Sequence, residues 1–124
     1  MKITRNFDSK EFDCHDGTPY PIMWIESRLA PLCAALEKIR ALTGGPLHVT
    51  SGYRTPEWNK SVGGQPKSKH MEGIAADIQL RGMTPKQLFA AIEKLIESDE
   101  IPEGGLGLYP RFVHYDLRGK RARW

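Results

Sequence analysis

The sequence predicts an α+β fold, with a central, mostly antiparallel sheet, helices packed on one face and a cleft on the other. Three observations carry this expectation. Short segments alternate apolar and polar residues and are bounded by glycine- and proline-rich turns. Two longer segments repeat apolar residues at steps of three and four. Two of the short segments also set Asp, or His and Asp, on the face away from their apolar residues, which leaves polar side chains for a cleft.

Taken in order, Asp8-Ser9-Lys10-Glu11-Phe12 reads as a short capped helical turn, and Asp16-Gly17-Thr18-Pro19 is turn chemistry. Cys14 and His15 lie between them without partners at zinc-finger spacing, so packing is their simpler role. From about Ser27 to Thr43, Leu29, Leu32, Cys33, Leu36 and Ile39 define an amphipathic helix that Gly44-Gly45 stops. Pro31 fits only its first turn, and Cys33, on the stripe, is predicted to fill the core. Leu47–Ser51 reads as a strand with His48 on its surface, running into the turn Gly52-Tyr53-Arg54-Thr55-Pro56 that projects Arg54. A polar loop, Val62 to Ser68, then leads to His70.

Ile74 to Leu80 is the next strand, with Ile74, Ala76 and Ile78 facing the core and Ala75, Asp77 and Gln79 facing away. Thr84-Pro85-Lys86-Gln87 opens a second helix with a capping box and proline at its first position; Leu88, Phe89, Ile92, Leu95 and Ile96 form its stripe. After Gly104-Gly105 come two strands, Leu106 to Tyr109 and Arg111 to Leu117, separated by Pro110. In the second, Phe112, His114 and Asp116 share a face, with Val113 and Tyr115 on the other.

At 124 residues, with 40% hydrophobic and 27% charged residues, the expectation is one soluble, monomeric domain over residues 1–124. No apolar run approaches the roughly 20 residues that span a bilayer. Met1 to Asp8 has basic residues but no apolar segment behind them, so no secretory signal is read, and the chain is expected in the cytoplasm as synthesised, with Cys14 and Cys33 as reduced thiols. The net charge is +3, and Arg118, Lys120, Arg121 and Arg123 crowd the end, where they suit an anionic partner or form a solvated tail. No basic stripe interleaved with aromatics and no recognition motif is present, so nucleic acid is not the expected partner.

Two histidines and two carboxylates carry the chemistry. A catalytic zinc site takes three protein ligands and keeps one position open. His70, at a loop end, and Asp77, on the strand that the loop feeds, can converge on one ion, and His114 from a neighbouring strand can close the site. Two imidazoles and one carboxylate would leave the ion positively charged, with a water whose pKa falls toward about 7.

Ser51-Gly52-Tyr53-Arg54-Thr55-Pro56, Gly63-Gly64-Gln65, Ser68-x-His70-x-x-Gly73-x-Ala75-x-Asp77, Gly105-Leu106-Gly107-Leu108-Tyr109 and Phe112-Val113-His114-Tyr115-Asp116 stand in this order. From about Leu29 onward the chain resembles the zinc D-Ala-D-Ala carboxypeptidase family, which includes peptidoglycan endopeptidases. With Arg118 and Arg123-Trp124 it is most similar to the short members found among phage lysis enzymes and murein peptidases. The resemblance implies Zn2+ held by His70, Asp77 and His114 in a cleft on the sheet face opposite the helices. Arg54 would then contact substrate and developing oxyanion, and Ser68 would stand on the substrate side. It further implies hydrolysis of an amide bond in peptidoglycan peptides, by carboxypeptidase or endopeptidase action, after release to the wall, with a phage-encoded endolysin as one setting.

The general base departs from the pattern. Many relatives place Asp or Glu three residues before the last histidine, where this chain has Arg111; a His-x-His arrangement fails at Phe112. Asp116 remains, either as the proton shuttle or as the residue that orients His114, with Glu72 a distant second. Tyr109 can donate a hydrogen bond to the oxyanion or to substrate, though an aromatic at a strand end also packs. The departure leaves a second reading, a zinc-containing but non-catalytic cell-wall binding module.

Overall fold

Residues 1–124 are described by a computed structural model. The chain begins with a two-stranded ribbon, β1 (Lys2–Thr4) and β2 (Phe7–Asp8), and a 3-10 turn at Ser9–Phe12. Asp8 caps that turn as the sequence predicts: its carboxylate accepts from the Lys10 N–H while Glu11 accepts from the Asp8 N–H. A 3-10 turn (Ile22–Trp24) and a π turn (Ile25–Leu29) lead into helix α1 (Ala30–Thr43). The helix starts three residues later than its periodicity suggests because Ser27 and its neighbours belong to the π turn. Pro31 then sits in the first turn, where a missing N–H breaks no hydrogen bond.

The main sheet has five strands: β3 (Leu47–Ser51), β4 (Ala75–Leu80), β5 (Gly105–Leu108), β6 (Val113–Asp116) and β7 (Ala122–Arg123). Their spatial order is β3-β4-β6-β5-β7, antiparallel except for the parallel β5–β7 pair. The sequence expectation was about four strands. The fifth is two residues long, too short to alternate visibly. Helix α2 (Pro56–Ser61) begins at the last residue of the expected Gly52–Pro56 turn and covers residues to which the sequence reading assigns no element; Thr55 caps it by accepting from the Trp58 N–H, and it is a turn and a half long. Helix α3 (Pro85–Glu97) has the predicted Thr84–Gln87 capping box, and Leu88, Ile92, Leu95 and Ile96 are buried.

The two-residue strand period sorts the sheet into faces. Ala76, Ile78, Leu106, Val113 and Tyr115 join Leu32, Cys33, Leu36 and Ile39 of α1 and the buried residues of α3 in one apolar cluster. Burial pushes the Cys33 thiol up to about 12, as befits a core filler. Cys14 is buried too, and both cysteines are free. On the other face, the β4–β6 register sets Asp77 opposite His114 and Ala75 opposite Asp116.

The basic C-terminal segment is less of a free cationic tail than its composition implies. Arg118 pairs with Asp116, Arg123 with Glu93 and Glu103, and Arg121 lies near the same two glutamates. No helix is long and apolar enough to cross a membrane.

Because the Thr84 hydroxyl satisfies one otherwise unpaired helix donor, Thr84→Ala is expected to cost about 1 kcal/mol in urea unfolding, with zinc content unchanged.

Candidate metal centre

Each of the three predicted ligands is placed by a different device. Asp77 lies in the middle of β4, and His114 directly across from it on β6. His70 lies in the 3-10 turn Lys69–Glu72, which Ser68 caps by accepting from the His70 N–H at 3.2 Å. The Arg54 N–H donates to the His70 carbonyl at 3.1 Å and ties that turn to the end of β3. All three side chains are buried, and one ligand atom from each lies within 4.8 Å of the others.

Hydrogen bonds fix which imidazole nitrogens carry protons. His70 Nδ1 lies 2.6 Å from the Gly52 carbonyl, an acceptor only, so Nδ1 is the N–H and Nε2 carries a lone pair. His114 Nε2 lies 2.7 Å from Asp116 Oδ2, which likewise puts its lone pair on Nδ1. Those two nitrogens approach Asp77 Oδ1 at 3.1 and 3.0 Å. Three acceptors therefore converge with no hydrogen among them, which is stable only around a cation. Ligands at zinc distance in a tetrahedral shell stand about 3.4 Å apart, close to this spacing. The donor set fits zinc.

Without metal, protons take the cation's place. Burial opposes charge on His114, but hydrogen bonds to Asp116 and Asp77, and their charges, outweigh it and raise its pKa above the ordinary 6.5. Burial likewise opposes charge on Asp77, yet hydrogen bonds from His114 and His70 hold it well below the usual carboxylate range.

Asp116 meets a physical obstacle as a proton shuttle. It is fully buried and does not line the cleft. Its two oxygens accept from His114, the Gly105 N–H, the Arg118 N–H and the Arg118 guanidinium. Against the cost of burial, His114 and Arg118 hold it far below the ordinary carboxylate pKa. Of the two roles that the sequence left open, this geometry matches orientation of His114. Glu72 is exposed and paired with Lys69. Arg111 is exposed, and Phe112 stacks on Tyr109.

Beside the triad opens a cleft of about 900 Å³, lined among others by Arg54, Ser68, Tyr109, Phe112, Arg118 and Trp124. Arg54 is held on three sides: Nε toward Ser51 Oγ, Nη1 donating to Asn59 Oδ1 at 3.2 Å, and Nη2 3.5 Å from Asp77 Oδ2. Sequence reasoning missed Asn59, a buried residue whose amide also donates to the Gln65 carbonyl. It also missed the Gly52 carbonyl; neither shows a pattern until the loops are folded. The Cys14–His15 pair separates, with Cys14 against Thr55 and His15 exposed beside Trp58.

Two imidazole lone pairs and one carboxylate oxygen at the edge of an open cleft are the donor set of a zinc metallopeptidase. The chain belongs to the Peptidase M15 family, whose model matches residues 5–116; members of this family use zinc, as the sequence resemblance implies. No curated protein matches the sequence.

Asp116→Asn is expected to lower zinc affinity by about 10- to 100-fold in competition with a chromophoric chelator, because the imidazole loses its charged orienting partner. Zinc affinity left intact with turnover lost would restore the proton-shuttle role. The pH dependence has opposite signs with and without metal. A raised His114 pKa gives stability that is fully present below about 6.5 and is lost as pH rises through the folded value. Thermal unfolding of chelated protein is therefore expected to fall across that range. The stabilisation on adding zinc is expected to grow over the same range, since metal and protons compete for the same lone pairs.

Proposed function

We propose that the protein hydrolyses an amide bond in peptidoglycan peptide stems or cross-bridges, with His70, Asp77 and His114 as its zinc ligands. The observation that carries the substrate class is the charge of the cleft. Asp77 is the only carboxylate among its lining residues, against Arg54, Lys67, Lys69 and Arg118, of which Lys69 and Arg118 are paired with Glu72 and Asp116 outside the lining. Peptide stems rich in free carboxylates suit such a surface, which draws anions toward the metal.

Zinc, when bound, supplies a Lewis acid and an acidified water. The chain's own residues supply position and charge. Arg54 is the catalytic arginine: restrained by Asn59, Ser51 and Asp77, its guanidinium holds a substrate carboxylate or draws charge from the scissile carbonyl with little rotamer freedom left to lose. Asp116 is a positioning residue that keeps the His114 N–H pointing away from the metal. Ser68 caps the turn that carries His70 and stands in the cleft wall, and Tyr109 offers its hydroxyl to substrate. In this reading the protein acts as one domain on the wall after release from the cell, as endolysins do.

The lack of a second carboxylate in the lining favours one rival, a zinc-containing module that binds wall without cutting it. Murein sacculi incubated with the protein, with and without chelator, separate the two when released muropeptides are analysed by mass spectrometry. Hydrolysis gives new products that disappear with chelator. Binding to sacculi without products from several wall types would leave the module.

A further inference from the structure

One wall of the cleft is aromatic, and its members are held by contacts that the zinc ligands do not require. Tyr109 and Phe112 stack with ring centroids 4.5 Å apart and planes inclined by 14°. The Trp124 indole lies 5.1 Å from the His114 ring, with the Arg118 guanidinium over it at 5.1 Å. The backbone of Trp124 is locked onto β5: the Leu108 N–H donates to its carbonyl at 2.7 Å, and its N–H donates to Leu106 at 3.2 Å. Gly107 lets the indole lie flat there, since a Cβ at that position would strike the indole nitrogen.

An indole N–H donates and never accepts. Here it donates to the Tyr109 hydroxyl at 2.7 Å, the one hydrogen bond that this hydroxyl makes. A phenol has two lone pairs and a single proton, so receiving from Trp124 occupies a lone pair and leaves the proton unused. Both residues line the cleft, and the indole rests against a zinc-ligand imidazole. No lining carboxylate other than Asp77 competes for that proton.

We propose that Trp124 is a positioning residue that fixes the Tyr109 hydroxyl as a donor to the substrate oxygen on which negative charge develops when the amide carbonyl is attacked. The ligand class is a tetrahedral oxyanion. Tyr109 touches it, and Trp124 acts only through Tyr109. The inference rests on the peptidase reading and on a cleft that admits a D-alanyl-D-alanine-like peptide.

Trp124→Phe keeps an aromatic ring against His114 and Arg118 while removing the N–H and the rest of the indole's second ring; Tyr109→Phe removes only the hydroxyl. Zinc-loaded wild type, both single variants and the double variant are titrated by calorimetry with a phosphinic analogue of D-alanyl-D-alanine, and with D-alanine as a control lacking the tetrahedral centre. Tyr109→Phe is expected to weaken phosphinate binding about 100-fold, in the range of an oxyanion donor. Trp124→Phe is expected to weaken it about 3- to 10-fold, the worth of one neutral hydrogen bond. The double variant is expected to bind no more weakly than Tyr109→Phe alone, with D-alanine affinity and zinc content unchanged. Losses that multiply, an unchanged Trp124→Phe, or a wild type that binds no phosphinate would overturn the proposal. Failure to cut murein strikes the peptidoglycan reading instead, and leaves the phosphinate result to decide the Tyr109–Trp124 pair.

Discussion

Two imidazole lone pairs face Asp77 Oδ1, itself an acceptor, and much of the structure around it serves to keep that arrangement in place. Three acceptors packed at about hydrogen-bond distance with no proton between them repel one another, and burial strengthens the repulsion by lowering the local dielectric. A cation turns that cost into binding energy. The histidines cannot relieve the strain by swapping tautomers, because the Gly52 carbonyl and Asp116 each claim the opposite ring nitrogen. The site is thus selective for charge before it is selective for any particular ion.

Charge also spreads outward from the same carboxylate. Asp77 Oδ2 faces Arg54, Arg54 leans on Asn59, and Asn59 holds the Gln65 carbonyl. The loop that forms one side of the cleft is thereby joined to Asp77 through an unbroken series of polar contacts. On the other side, Asp116 joins His114 to Arg118, and Arg118 lies over Trp124. Both flanks of the cleft are anchored to the triad, so groups on either side of it are held at fixed positions relative to His70, Asp77 and His114.

Much of this was legible in the sequence, for identifiable reasons. Strand parity placed Asp77 and His114 on one face, and the capping box at Thr84 fixed where α3 begins; both are local rules that tertiary contacts did not override. Parity also put Asp116 beside His114, but it reports a face and not a depth. Gly105 and the Arg118 side chain close over the carboxylate, and only the folded chain shows that it lies beneath the histidine. β7 and α2 escaped because each is too short for a period, and Asn59 because its partners are a guanidinium and a carbonyl brought to it by folding. The cluster of arginines near the end misled in the other direction: charge in a sequence carries no record of Glu93 and Glu103, which meet it across α3 and the following loop.

The N-terminal turn is the least expected contributor. The Phe12 carbonyl accepts from the Tyr53 N–H, and the Phe12 backbone lies so close to Gly52 that a Cβ there would stand 2.6 Å from the Phe12 Cα. Gly52 in turn supplies the carbonyl that sets the His70 tautomer. A segment some sixty residues from His70 is therefore linked to it through two consecutive contacts. By thermodynamic reciprocity, whatever zinc gains from a well-seated Phe12, the N-terminal turn gains from zinc.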